Sequence, residues 1–152
     1  MEKGFFYGMM LLLWIAFILV LKINRFSLRH LFMWITYSLY SLTYENLFGE
    51  VFHLYYYIYP EDSLVYILLA SFLLYPLYII LYLFFLPCGR KVIWYSAGWI
   101  IVMQFIEIVS LYTRTVVLTG WEIIPWSPVT YIVSYFLVYI YNGYLQRAIP
   151  DL

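Results

Sequence analysis

Glu107 lies in WYSAGWIIVMQFIEIVSLYT, a stretch long enough to cross a bilayer. A carboxylate near a hydrocarbon core is costly, so it faces a protein interior, a water-filled cavity or a partner. TYENLFGEVFH sets Glu45 and Glu50 in a second apolar stretch. Glu45, Gly49 and His53 follow i, i+4, i+8 spacing, and Asn46, Glu50, His53 and Tyr57 make an overlapping stripe. In the later stretch Gln104, Glu107, Ser110 and Arg114 share a helical face. Arg114 is placed to balance Glu107, or a glutamate of the earlier stretch, by reaching backward. Counted along a helix from Leu31 and from Val92, Glu45 and Glu107 lie about 21 Å and about 22 Å from the cytoplasmic edge. The two carboxylates are therefore expected to approach one another in the outer half of the membrane. Such a pair suits an outward-facing polar site that binds or passes a small cation, or binds a lipid headgroup. The structural alternative is a hydrogen-bonded network that fixes helix packing.

Other chemistries find less support. Glu50 and His53 form one E-x-x-H, whereas carboxylate-bridged di-metal bundles need two copies and further carboxylates. His30 belongs to the opposite side, so no metal site and no cofactor is expected. No G-x-S-x-G motif, phosphate-cradling loop or nucleophilic triad is present. A non-enzymatic role is preferred. The alternatives are an accessory subunit docking another membrane protein, and a lipid-modifying enzyme using Glu45, Glu107 and His53 as acid and base.

The elements that must position these residues follow from composition. Of the 152 residues 66% are hydrophobic and only 11% are charged, against about 25% charged in soluble domains. Lipid is the solvent such a chain requires. The net charge of zero argues against a nucleic-acid partner. The single cysteine, Cys88, excludes an intrachain disulfide. The expected fold is all-α: one integral membrane domain over 1–152, a polytopic bundle of about five transmembrane helices. The spans are 4–21, 31–57, 64–86, 92–118 and 128–145. Pro76 predicts a kink in the third, and Ser127-Pro128 reads as N-cap and first turn of the fifth. Lys22, Arg25, Arg29, Arg90, Lys91 and Arg147 fall on one side, and only Lys3 and Arg114 on the other. The positive-inside rule then sets the N-terminus outside and the C-terminus inside. Tyr55, Tyr56, Tyr57, Trp94, Trp121 and Trp126 read as a membrane–water belt. Tyr37, Tyr40 and Tyr44 form one face that packs with hydrogen bonds against another helix.

IVMQFIE, TGWEIIPWS and the last apolar stretch ending YNGYLQ resemble an uncharacterised family of small multi-pass membrane proteins of spore-forming Gram-positive bacteria. YEN at 44–46 and the aromatic run into Tyr59-Pro60 are similar as well. The family carries Asn after its Gly-Trp pair, where this chain has Glu122. The resemblance implies a Gram-positive cytoplasmic membrane and points to Glu107, Trp121, Trp126 and Ser127, without an activity. The expected binding set is Glu45, Asn46, Glu50, His53, Gln104, Glu107, Arg114, Trp121, Trp126 and Ser127. The expected partners are the bilayer, a small cation or headgroup, and another membrane protein or a second copy of the chain.

Overall fold

The computed structural model describes residues 2–149; Met1 and residues 150–152, with the C-terminal end of the expected domain, lie outside them. The described residues form five helical rods. α1 is Glu2–Leu21. α2 is Leu28–Glu45 and runs on as a π-helical turn, Asn46–Val51. The third rod is composite: α3, Ser63–Leu69, a second π-helical turn, Ala70–Leu74, and α4, Tyr75–Phe84. α5 is Lys91–Tyr112 and α6 is Ile123–Ala148. The all-α architecture has one addition that the sequence did not announce. Strands β1, Tyr55–Tyr57, and β2, Val116–Leu118, pair antiparallel with Tyr56 opposite Val117.

Two predicted spans, 31–57 and 92–118, are therefore too long. Helix α5 ends at a left-handed residue, Arg114 (φ 56°). The Arg114 N–H bonds to the Leu111 carbonyl at 3.0 Å and the Thr115 N–H to Ser110 at 2.8 Å. That pair of bonds closes the orphan carbonyls of a helix end. The second rod stops likewise at His53 (φ 51°), and the Leu54 N–H reaches back to Phe48. Both chains leave their helices extended, which makes the ribbon. The Leu54 carbonyl then takes three successive N–H groups, of Thr119, Gly120 and Trp121, at 2.9–3.1 Å. A side chain at Gly120 would set its Cβ 3.0 Å from Leu54 Cδ2, so the crossing is close.

The expected kink at Pro76 takes the form of the second π turn. Proline has no N–H, and its ring presses on the carbonyl four residues back. Just before it the Tyr75 N–H reaches five residues back to Ala70, which widens the turn. Helix α4 is the centre of the bundle, with every residue from Pro76 to Tyr82 buried. α2 and α6 run antiparallel beside each other, tied by Thr36–Tyr141, Tyr40–Ser134 and Tyr44–Thr130 hydroxyl pairs at 3.0–3.2 Å. The tyrosine face of α2 thus makes the interhelical hydrogen bonds expected of it.

The ends of the bundle separate chemically. Thr115 Oγ1 donates to the Glu2 carbonyl, and Lys3 sits over the Tyr59 ring at 5.5 Å. The N-terminus and the ribbon therefore share one end. At the other, the His30 ring packs tilted against Phe84 at 4.6 Å and lies 5.6 Å from Phe26. The basic turns at 22–27 and 85–90 belong to that end.

Among the described residues four rods are long and apolar enough to cross a membrane: Glu2–Leu21, Pro60–Phe84, Lys91–Tyr112 and Ile123–Ala148. Their outer faces expose side chains such as Ile101 at 69% and Phe136 at 61%, compatible with residence in lipid. α2 is not among the four. It carries Arg29, His30, Glu45 and a series of Ser, Thr and Tyr residues, and its hydroxyls find partners on α6 instead.

Candidate functional site

Glu45 and Glu107 line one cavity of about 170 Å3, beside the ribbon. α2 delivers Glu45 at its last α-helical residue, and the carboxylate is buried. In a strand, alternate side chains share a face, so β1 turns Tyr55 and Tyr57 the same way. Both phenols donate to Glu45 Oε2, at 3.0 Å and 3.1 Å. The Tyr57 hydroxyl also meets the Tyr75 hydroxyl at 2.6 Å, at the junction of the second π turn and α4. Burial, and after it the neighbouring Glu45 carboxylate, hold the Tyr55 and Tyr57 phenols well above their ordinary pKa. They remain protonated donors.

Glu107 is held from α5 and α6. Ser127 Oγ donates to Oε1 at 2.6 Å, and the Tyr131 hydroxyl and Gln104 Nε2 donate to Oε2 at 2.9 Å and 3.2 Å. Ser127 and Tyr131 are four residues apart, hence stacked on one face of α6. Trp121 Nε1 donates to Ser127 Oγ at 2.9 Å, which frees the serine proton for the carboxylate. Ser110 Oγ donates to the Glu107 carbonyl at 2.7 Å. Among the described residues, neither carboxylate has a cationic side chain in ion-pair contact. Tyr78 and Tyr135 also line the cavity, and their buried hydroxyls have no hydrogen-bond partner among the described residues.

The predicted set divides. Glu45, Glu107, Trp121 and Ser127 line the cavity, and Gln104 braces Glu107 from its own helix. The others stand apart. Arg114 is exposed in the turn after α5, because the helix ends before it could extend the Glu107 face. Asn46 bonds to its own helix at Leu42. Glu50, expected on the Asn46 stripe, lies within the π turn and outside the cavity. His53 is exposed at the left-handed end, and the E-x-x-H pair does not join the cavity. Among the described residues no three His, Cys, Asp or Glu side chains gather as metal ligands.

Two aromatic assignments are also corrected. Trp126 is 53% exposed and outside the cavity. Tyr55, Tyr57 and Trp121 are cavity walls and not a boundary belt, because the ribbon folds them inward. Ser127 acts as a ligand of Glu107 and not as an N-cap; the α6 segment begins earlier, at Ile123, with a non-helical Ile124 and a cis Ile124–Pro125 bond. The residues that sequence reasoning missed are Tyr75 and Tyr131, and the donor role of Tyr55 and Tyr57. A period-2 pattern would have flagged the strand, but three consecutive tyrosines carry none.

Arg114→Gly tests whether that position is structural. Glycine takes the left-handed conformation without the penalty other residues pay. The variant is expected to gain about 1 kcal/mol of stability, read as a higher unfolding midpoint in detergent. A loss would mean that Arg114 makes a stabilising contact.

No protein-family model, curated protein or solved structure matches this chain.

Proposed function

We propose that this chain is a non-enzymatic integral membrane protein whose bundle holds a small cation between Glu45 and Glu107, at an outward-facing site. The observation that carries the reading is one cavity with two carboxylates whose hydrogen bonds all come from neutral groups. A buried charge needs a countercharge, and no side chain among the described residues supplies one.

In this reading all five rods cross the membrane, α2 being sheltered by its neighbours. The basic turns lie inside, and the ribbon and cavity lie toward the outside. The resemblance to small membrane proteins of spore-forming Gram-positive bacteria belongs to the same proposal.

A panel of sodium, potassium, tetramethylammonium and ethanolammonium chlorides tests binding by thermal unfolding of the purified protein. A cation at about 100 times its Kd adds about 2.7 kcal/mol. The expected result is stabilisation of the wild type by at least one of the four, and none in a Glu45→Gln, Glu107→Gln double variant. No stabilisation by any of them would overturn the reading.

Topology has its own test. Cys88 is the one cysteine and is exposed in the turn before α5. A membrane-impermeant thiol reagent is expected to label it only after cells are permeabilised. A Cys88→Ala, Glu122→Cys variant should label in intact cells. Labelling of Cys88 in intact cells would reverse the orientation.

A further inference from the structure

The walls of the cavity specify the kind of cation. Trp121 meets Tyr44 and Tyr55 nearly at right angles, 81° and 83°, with ring centroids 6.3 Å and 6.2 Å apart. Tyr55 in turn meets Tyr57 at 80° and 6.3 Å. Rings set at right angles around one space form the corners of a box, and all four line the cavity. Each carboxylate is tied to this box. Glu45 accepts from Tyr55 and Tyr57, and Glu107 accepts from Ser127, which is hydrogen-bonded to Trp121.

We propose that the ligand is a small alkylammonium cation, caged by Tyr44, Tyr55, Tyr57 and Trp121 and neutralised by Glu45 and Glu107. This rests on the cation-binding reading above and names the class of cation. The π face of an aromatic ring attracts a cation within about 6 Å, and aromatic boxes are how proteins recognise quaternary ammonium groups. A quaternary nitrogen is weakly hydrated and presents methyl surface, which ring walls can replace for water; a primary alkylammonium keeps its N–H donors for the carboxylates. A hard divalent cation wants a shell of about six to eight oxygens. Here the phenols of Tyr55, Tyr57 and Tyr131 already point their protons at carboxylates. Size agrees: an apolar cavity of about 150 Å3 admits benzene, and this cavity is about 170 Å3. The same ammonium chemistry is offered by a free cation and by the headgroup of a zwitterionic lipid.

Isothermal titration of the purified protein in detergent, with tetramethylammonium, ethanolammonium, sodium and potassium chlorides, tests the class. Native mass spectrometry with short-chain phosphatidylcholine and phosphatidylethanolamine tests the source. The expected result is binding of tetramethylammonium or ethanolammonium and no heat from sodium or potassium. Trp121→Leu should weaken that binding about tenfold, and Trp121→Phe, which keeps a π face, by less. Retention of the lipids alone, lost in the double glutamine variant, would assign the ammonium to a headgroup. Binding of sodium or potassium without either ammonium would overturn this inference and leave the cation site standing. Silence from every ligand would overturn both. If Trp121→Leu fails to accumulate, the wild-type selectivity and the Trp121→Phe variant decide the matter.

Discussion

Glu107→Leu is expected to lower the stability of the protein by about 2–4 kcal/mol, although it removes a charge from the interior. If Glu107 only filled space in the packing, a neutral or stabilising result would be expected, since an unneeded buried charge is costly and leucine suits a membrane helix. The difference lies in the surroundings. Ser127, Tyr131 and Gln104 all direct donors at this carboxylate. Leucine would strand them, and a buried donor left without an acceptor costs about 1–3 kcal/mol. Some of that cost is recovered by removing the carboxylate and by exposure to the cavity, so the sum falls below three full penalties. Glu107→Gln keeps an acceptor oxygen and the shape, and should lose no more than about 1 kcal/mol. Unfolding midpoints and membrane abundance of both variants give the comparison. A leucine variant as stable as the wild type would show that the network contributes nothing.

The second large effect is on binding. Glu45→Gln should weaken cation binding about 100-fold or more, because removing one partner of a buried charge pair costs about 2–5 kcal/mol. Its effect on the empty protein should be small, since the amide oxygen can still accept from Tyr55 or Tyr57. The two glutamates therefore separate: one variant set reads stability, the other affinity. Unchanged affinity in Glu45→Gln would remove Glu45 from the site. A fall in affinity that merely tracks lost stability would give it a packing role.

Much of the frame is legible because its signals are local. Pro60, Pro87 with Gly89, and Gly120 interrupt apolar runs and lie between rods where the structure also breaks them. Counting helical rise put Glu45 and Glu107 at one depth, and they line one cavity. The failures have particular causes. Arg114 was counted on the helix because neither glycine nor proline stands at the end of α5; a non-glycine residue takes the left-handed turn instead. The stripe of Asn46, Glu50 and His53 assumes a period of 3.6, which the π turn at Asn46–Val51 does not keep. Gln104 lies only three residues from Glu107, but the other four carboxylate donors lie 10, 12, 20 and 24 residues from their acceptors. Such pairing depends on how rods are brought together, which no short window contains.

The two π turns make the cavity a matter of residue count as well as residue type. Glu45 stands immediately before one and Tyr75 immediately after the other, so the cavity is framed by two places where the backbone carries a surplus residue. A π turn takes up one residue more than an α turn for about the same rotation, so loss of one residue from 46–51 would return that rod to ordinary α spacing and leave the chain beyond it roughly in phase. One residue lost from the regular part of α2 would instead turn Tyr55 and Tyr57 by roughly a quarter of a revolution relative to the chain before it. These two segments are therefore where the rods can lose a residue with the least change of phase.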